Sequence, residues 1–184
     1  PYPQPHAFLS VGRGIAQKGH AESAQLFDLI NARLEGKACL TILGDGPAID
    51  ALKKARGSQS TGPVFFPGSV INYDDWLAGA SAIIRMAVGE DTNSVIREGI
   101  LAGKVVATTM EGPGCRDLAQ RGLVVVIDRD DLPGSADRCV AAVLGMTPEK
   151  SAMLSAGAEE LWPDAEAFSA YDLPLTLPPV SIQP

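Results

Sequence analysis

SAIIRMAVGEDTNSVIREGILAGKVVATT, residues 81–109, decides the fold. Ser81–Ala87 reads as a buried strand, Ser94–Ala102 as a helix stopped by Gly103, and Lys104–Thr109 as a second buried strand. The strands are continuous apolar runs rather than alternating ones. Joined through a helix, they form the parallel unit of a sheet covered on both faces.

The rest of the chain repeats that alternation. Upstream lie a strand at Ala7–Gly12 and a helix at Ala21–Leu34, with Ala24, Leu26, Phe27, Ile30 and Leu34 at helical spacing. A strand follows at Cys39–Pro47, stopped by Gly-Asp-Gly-Pro, then a helix through Leu52 and Ala55 that ends near Gly57. A short strand enters a turn at Val64–Val70, and a short helix spans Asp75–Ala80. Downstream come a short helix at Cys115–Gln120, a strand at Leu123–Asp128 and helices at Gly134–Leu144 and Pro148–Leu161. The pattern predicts an α/β domain over residues 7–162, a Rossmann-like doubly wound parallel sheet of about six strands with helices on both faces. Pro1, Pro3 and Pro5 mark residues 1–6 as a linker from a preceding domain. Residues 163–184 read as a Pro-rich irregular tail.

Composition narrows the function. The 184 residues suffice for one substantial core, and 46% apolar with 20% charged is ordinary for a globular domain. A net charge of −7, from 15 basic and 22 acidic residues, argues against nucleic acid or an anionic membrane as partner. No apolar run approaches the roughly 20 residues of a membrane span. Cys39, Cys115 and Cys139 are isolated, which suggests neither a zinc site nor a disulfide framework and fits a cytoplasmic location. His6 and His20 read as surface residues.

In a doubly wound sheet, ligands sit outside the carboxyl ends of the strands. Three loops there are unusual. In GRGIAQKGH (Gly12–His20), Arg13 and Lys18 lie beside a helix start, a seat for a diphosphate. In LGDGP (Leu43–Pro47), Gly44 and Gly46 allow a tight turn or close approach to a ligand, and Asp45 is placed to cap the next helix. Neither a dinucleotide glycine fingerprint nor a P-loop is present.

The third loop holds Glu90 before the helix and Glu98 one turn inside it. Helical side chains tilt toward the N-terminus, so Glu98 reaches back toward the junction. Between the two carboxylates lie the amides of Asp91, Thr92, Asn93, Ser94 and Val95. Amides suit a phosphate and carboxylates suit sugar hydroxyls. A nucleotide sugar has that layout: ribose, diphosphate, sugar.

These pieces resemble, in order and spacing, the C-terminal, donor-binding domain of GT-B glycosyltransferases of the retaining family-4 type. The matching runs are VGRGIAQKG, LTILGDGP, VFFPGSV, GEDTNSVIREGILAGKVVATT with its Glu–seven residues–Glu motif, and EGPGCRDL. The resemblance implies one half of a GT-B fold, a nucleotide-diphosphate sugar as donor, retention of anomeric configuration and a missing acceptor-binding N-terminal domain. Arg13 and Lys18 would hold the diphosphate, Glu90 the transferred sugar and Glu98 the ribose. The turn carrying Phe66, Gly68 and Val70 would lie beside the base, with Gly12, Gly44 and Gly46 lining the approach. No metal and no cofactor are expected. The sequence departs from the family pattern at Ala87, where a Ser is usual, at the polar run Asp91-Thr92-Asn93, and at Asp117, where a Glu is usual; these bear on which sugar is bound. A degenerate binding module and another GT-B enzyme, such as a sugar-nucleotide epimerase, are the alternatives.

Overall fold

The computed structural model describes residues 2–56 and 63–163. Six parallel strands run in the order β3-β2-β1-β4-β5-β6. They are β1 (His6–Val11), β2 (Ala38–Leu43), β3 (Val64–Gly68), β4 (Ala82–Arg85), β5 (Val105–Thr109) and β6 (Val125–Ile127). Seven helices connect and flank them: α1 (His20–Arg33), α2 (Pro47–Arg56), α3 (Tyr73–Gly79), α4 (Ser94–Leu101), α5 (Pro113–Gln120), α6 (Leu132–Leu144) and α7 (Pro148–Leu161). The expected Rossmann-like architecture is therefore present. Its order reverses between β1 and β4, and that reversal opens a crevice at their carboxyl ends.

The strands are apolar because both faces are buried. On one face Phe8, Leu40, Ile42, Ile84 and Ala107 pack against α1, α2 and α6. On the other, Leu9, Ile83 and Val106 pack against α3, α4, α5 and α7. Adjacent strand residues feed opposite layers, as the pleat requires. Pro67 is accommodated because β3 is an edge strand.

Element boundaries shift where local chemistry overrides hydrophobicity. β2 stops at Leu43, because Gly44 and Gly46 take positive φ values of 130° and 139° and leave the sheet. Helix α5 starts two residues earlier than expected, because Pro113 occupies a first-turn position where its missing N–H is harmless. Of the lead-in, His6 already belongs to β1, where it pairs with Ala38. Tyr2 is anchored too: its hydroxyl donates to the Trp76 carbonyl at 2.7 Å and its ring meets the indole edge-on. No helix among the described residues is long and apolar enough to cross a membrane. The predicted Pro-rich tail beyond residue 163 lies outside the described residues.

Candidate functional site

The crevice is built by two loops that lock together through glycine. After β1 the chain passes Gly12 and Arg13, makes one 3-10 turn at Ala16–Lys18 and enters α1 through Gly19 at φ 68°. A Cβ on Gly19 would sit 1.9 Å from the Met86 carbonyl oxygen, so the α1 entry rests directly on the chain leaving β4. The Val88 amide donates to the Gln17 carbonyl across the same seam.

His20 corrects the expectation of a surface residue. It is 3% exposed. Its Nε2 faces the Gly12 and Arg13 carbonyls at 3.3 and 3.2 Å, so that nitrogen carries the proton and donates. Nδ1 then accepts from the Ser10 hydroxyl at 3.0 Å. Burial pushes the imidazole below its ordinary range, which keeps it neutral and suited to this double role. His20 thus fixes the backbone that presents Arg13.

Between these loops lies a cleft of about 540 Å³. One wall carries Gly12, Arg13 and Lys18; the other carries Glu90 and the α4 entry from Asp91 to Val95. Asn93 caps α4 by accepting from the Ile96 amide at 3.2 Å. Lys18 Nζ donates to both Glu90 oxygens, at 2.7 and 2.9 Å. Burial alone would raise the Glu90 carboxyl, but Lys18 and Arg85 outweigh it and hold it below the usual carboxylate range. Arg13 is exposed at the rim.

A second hollow of about 250 Å³ adjoins the first. It shares Gly12 and Arg13 and adds Gly44, Asp45, Ser69, Val70 and Tyr73. Gly44 and Val70 therefore reach the site, whereas Gly46, Phe66 and Gly68 do not line it. Gly46 is packed against the backbone of Gly14. Phe66 lies against the core beneath Lys53. The Gly68 carbonyl accepts from the Gly44 amide at 3.0 Å. Asp45 does not cap α2 as expected; it turns across to accept from the Ser69 amide at 2.7 Å and so ties the turn after β3 to the β2 loop.

Glu98 sits one turn into α4, as expected, but lines neither hollow. It is half-buried beside Tyr73. Burial raises the Glu98 carboxyl above its ordinary range against hydrogen bonding from Tyr73 and Ser94, with Asp74 adding to the rise.

The geometry also alters the reading of Asp91. Its carboxylate, at the cleft wall, accepts from the Gly114 and Cys115 amides at 3.0 and 2.9 Å. Those are open N–H groups of α5, so Asp91 caps a neighbouring helix, and these bonds hold its carboxyl below the usual range. Asp91→Ala is expected to lower stability by about 1–2 kcal/mol and to free α5, as lost caps do. Denaturant unfolding of both proteins checks it; an unchanged midpoint would remove the cap from the account.

Several residues escape the sequence reading. Arg85, at the end of β4, is 4% exposed and donates to Glu90 Oε2 at 2.8 Å. A lone charge at the carboxyl end of an apolar strand was the available signal. Glu111 accepts from the Gly89 amide at 3.2 Å and lies 3.5 Å from Arg129. Arg129 in turn donates to the Met86 and Ala87 carbonyls at 2.7 and 2.9 Å, bracing the Glu90 loop from behind. Asp117, by contrast, pairs with Arg121 on the exposed side of α5. The expectation of a metal-free site also overlooks an Asp-x-Asp run, Asp128-Arg129-Asp130. Asp128 is engaged locally, accepting from the Asp130 amide at 2.9 Å. No cluster of metal-binding side chains occurs among the described residues. An apolar hollow of about 310 Å³ lies at the opposite end of β5 and β6, with none of the cleft residues in its lining.

Comparison with known proteins gives the family and the fold. Residues 5–144 match the family described as glycosyl transferases group 1, and the chain belongs to that family. No curated protein matches the sequence. Among solved structures, WaaG, described as a glycosyltransferase involved in lipopolysaccharide biosynthesis, superposes with a TM-score of 0.67 at 20% identity, covering 91% of this chain and 45% of that one. A UDP-forming α,α-trehalose-phosphate synthase from Burkholderia vietnamiensis gives 0.65 at 15% identity, covering 91% and 43%. The pneumococcal O-GlcNAc transferase GtfA, solved with UDP and GlcNAc, gives 0.67 at 13% identity, covering 92% and 37%. The fold is that of one domain of a GT-B glycosyltransferase. The chain spans less than half the length of each of these three proteins.

Proposed function

We propose that this chain is the donor-binding domain of an enzyme that moves a sugar from a nucleotide-diphosphate donor to an acceptor with retention of configuration. The observation that carries the reading is the cleft between the β1 and β4 loops, where Arg13, Lys18, Glu90 and the α4 entry converge. Arg13, Lys18 and the α4 amides take the diphosphate and stabilise its charge as it departs, the main electrostatic task of such a transfer. These cations serve in place of a metal ion. Glu90 accepts hydrogen bonds from the transferred sugar. The adjoining hollow takes the nucleoside, with Val70 and Tyr73 beside the base and Glu98 toward the ribose. Two structural relatives carry UDP in their descriptions, which makes UDP the first ligand to test. The acceptor side belongs to a second domain, and the chain alone is expected to bind donor without turnover.

The degenerate-module alternative rests on the departures from the family pattern at Ala87 and Asp91. The Asp91 carboxylate is engaged by the α5 amides, which offsets its charge toward a phosphate in the cleft.

Calorimetric titration with UDP, GDP, ADP and TDP tests the reading. One of them is expected to bind. Arg13→Ala and Lys18→Ala are each expected to weaken it about 10- to 100-fold, the loss of one charge-assisted contact of about 1.5–3 kcal/mol. Binding that survives both substitutions unchanged would place the diphosphate elsewhere.

A further inference from the structure

Glu90 stands between two cations of different character. Lys18 comes from the turn before α1, lines the open cleft and holds both carboxylate oxygens. Arg85 comes from β4 and holds only Oε2. Its side chain is 5% exposed, and its Nη1 is buried with no hydrogen-bond partner. A buried guanidinium with one nitrogen unmatched carries a desolvation penalty that an ordinary structural ion pair would avoid. Arg85 does not line the cleft, so it reaches a ligand only through Glu90. The remaining charges around the loop face elsewhere: Glu111 holds the Gly89 amide, Arg129 the carbonyls behind it, and Asp91 the α5 N-terminus.

We infer that Arg85 is a positioning residue that takes over Glu90 when a diphosphate draws Lys18 away. The inference rests on the donor-site reading above. In the arrangement seen here, two of the three Lys18 N–H donors are spent on Glu90, and a diphosphate that engages more than the third draws Lys18 off at least one oxygen. Departure of Lys18 frees Oε1, the oxygen it alone occupies, toward the cleft. Oε2 stays pinned by Arg85. The unmatched Nη1 can then take one lone pair of Oε1 in a forked guanidinium–carboxylate pair, a geometry lysine cannot provide, and the other lone pair is left for the cleft. Glu90 then remains ionised and aimed, with acceptor capacity left for sugar hydroxyls. Without Arg85 the carboxylate would lose its last cation at the moment the sugar arrives.

The test follows the Glu90 carboxyl by carbon-13 NMR through a pH titration of the chain. Lys18→Met imitates the departed lysine without any ligand. Its Glu90 midpoint is expected to stay within about one pH unit of wild type, because Arg85 still holds the carboxylate. Arg85→Gln is expected to move the midpoint upward by more than Lys18→Met does, and Arg85→Lys to recover only part of the shift. In wild type saturated with whichever of UDP, GDP, ADP or TDP binds, the midpoint should match that of Lys18→Met. A larger shift in Lys18→Met than in Arg85→Gln overturns the inference. So does a Lys18→Met midpoint at the value of an unpaired glutamate, an outcome readable even if Arg85→Gln does not fold. Failure of all four nucleotides to bind wild type instead overturns the donor-site reading, and the ligand-driven handover with it.

Discussion

Gly19→Ala is expected to unfold the site and most of the domain with it. Gly19 holds φ 68°, a left-handed conformation costing a non-glycine residue about 1–2 kcal/mol. The steric clash costs more. The new Cβ would stand 1.9 Å from the Met86 carbonyl oxygen and 2.5 Å from its carbon. These are backbone atoms in a seam closed by the Val88–Gln17 hydrogen bond, so no flexible side chain can give way. Relief requires parting the β1 and β4 loops, which also carry His20, Lys18 and Glu90. A loss of at least about 4 kcal/mol is expected, in the range reserved for broken cores and strained backbones. For a domain of this size that lowers Tm by roughly 10 °C or more. Thermal unfolding by circular dichroism measures it. A shift below about 2 °C would show that the seam is soft, and the claim that glycine closes the crevice would fail. Gly44→Ala offers a parallel check, since its Cβ would stand 1.9 Å from the Gly12 carbonyl oxygen.

The legibility of this site in the sequence follows from range. Glu90, Glu98 and the α4 entry are local to one strand–loop–helix segment, so helical geometry alone ordered them. Arg13 and Lys18 followed from a general rule, that ligands gather where parallel strands end. What stayed hidden depends on partners distant in the chain. Asp91 lines the cleft as the sequence suggests, but its capping role shows only when α5 is seen to start beside it, with Gly114 and Cys115 more than 20 residues away. His20 looks like a helix-surface residue until Ser10 and two carbonyls are folded around it. Phe66 and Val70 sit on one turn, yet only Val70 reaches the hollow, because the pleat of β3 sends Phe66 to the core. Of the glycines singled out, Gly12 and Gly44 line the hollows and Gly46 does not. Gly46 accommodates Gly14 rather than a ligand, a distinction that residue type cannot make.

The two glutamates are expected to respond to neutralisation with opposite sign. Glu90 has a folded pKa below that of the unfolded chain, where a glutamate titrates near about 4.3. Its ionised form is favoured by folding. It therefore adds stability above the unfolded value, and that stability is lost as pH falls through the lower folded value. Glu98 is the reverse: burial raises its folded pKa. Its contribution is fully present below the unfolded value and is lost as pH rises through the raised folded value. Ionising Glu98 therefore opposes folding, whereas ionising Glu90 favours it. Glu90→Gln should lower Tm at pH 7, since it leaves Lys18 and the buried Arg85 without their shared anion. Glu90 is only 22% exposed, which places the loss between surface and buried pairs, at about 2 kcal/mol or roughly 4–8 °C. Glu98→Gln should raise Tm at pH 7, and the gain should shrink as pH falls through the raised folded value of wild-type Glu98. Paired melting curves at pH 7 and at lower pH settle the signs. Two shifts of the same sign at pH 7 would refute the assignment. The contrast also separates two kinds of carboxylate that the motif presents as equivalents. One is held by cations at the mouth of the cleft. The other is half-buried, and its ionisation runs against its surroundings. A stabilised Glu98→Gln protein that no longer binds nucleoside diphosphate would tie that opposed ionisation directly to the ribose.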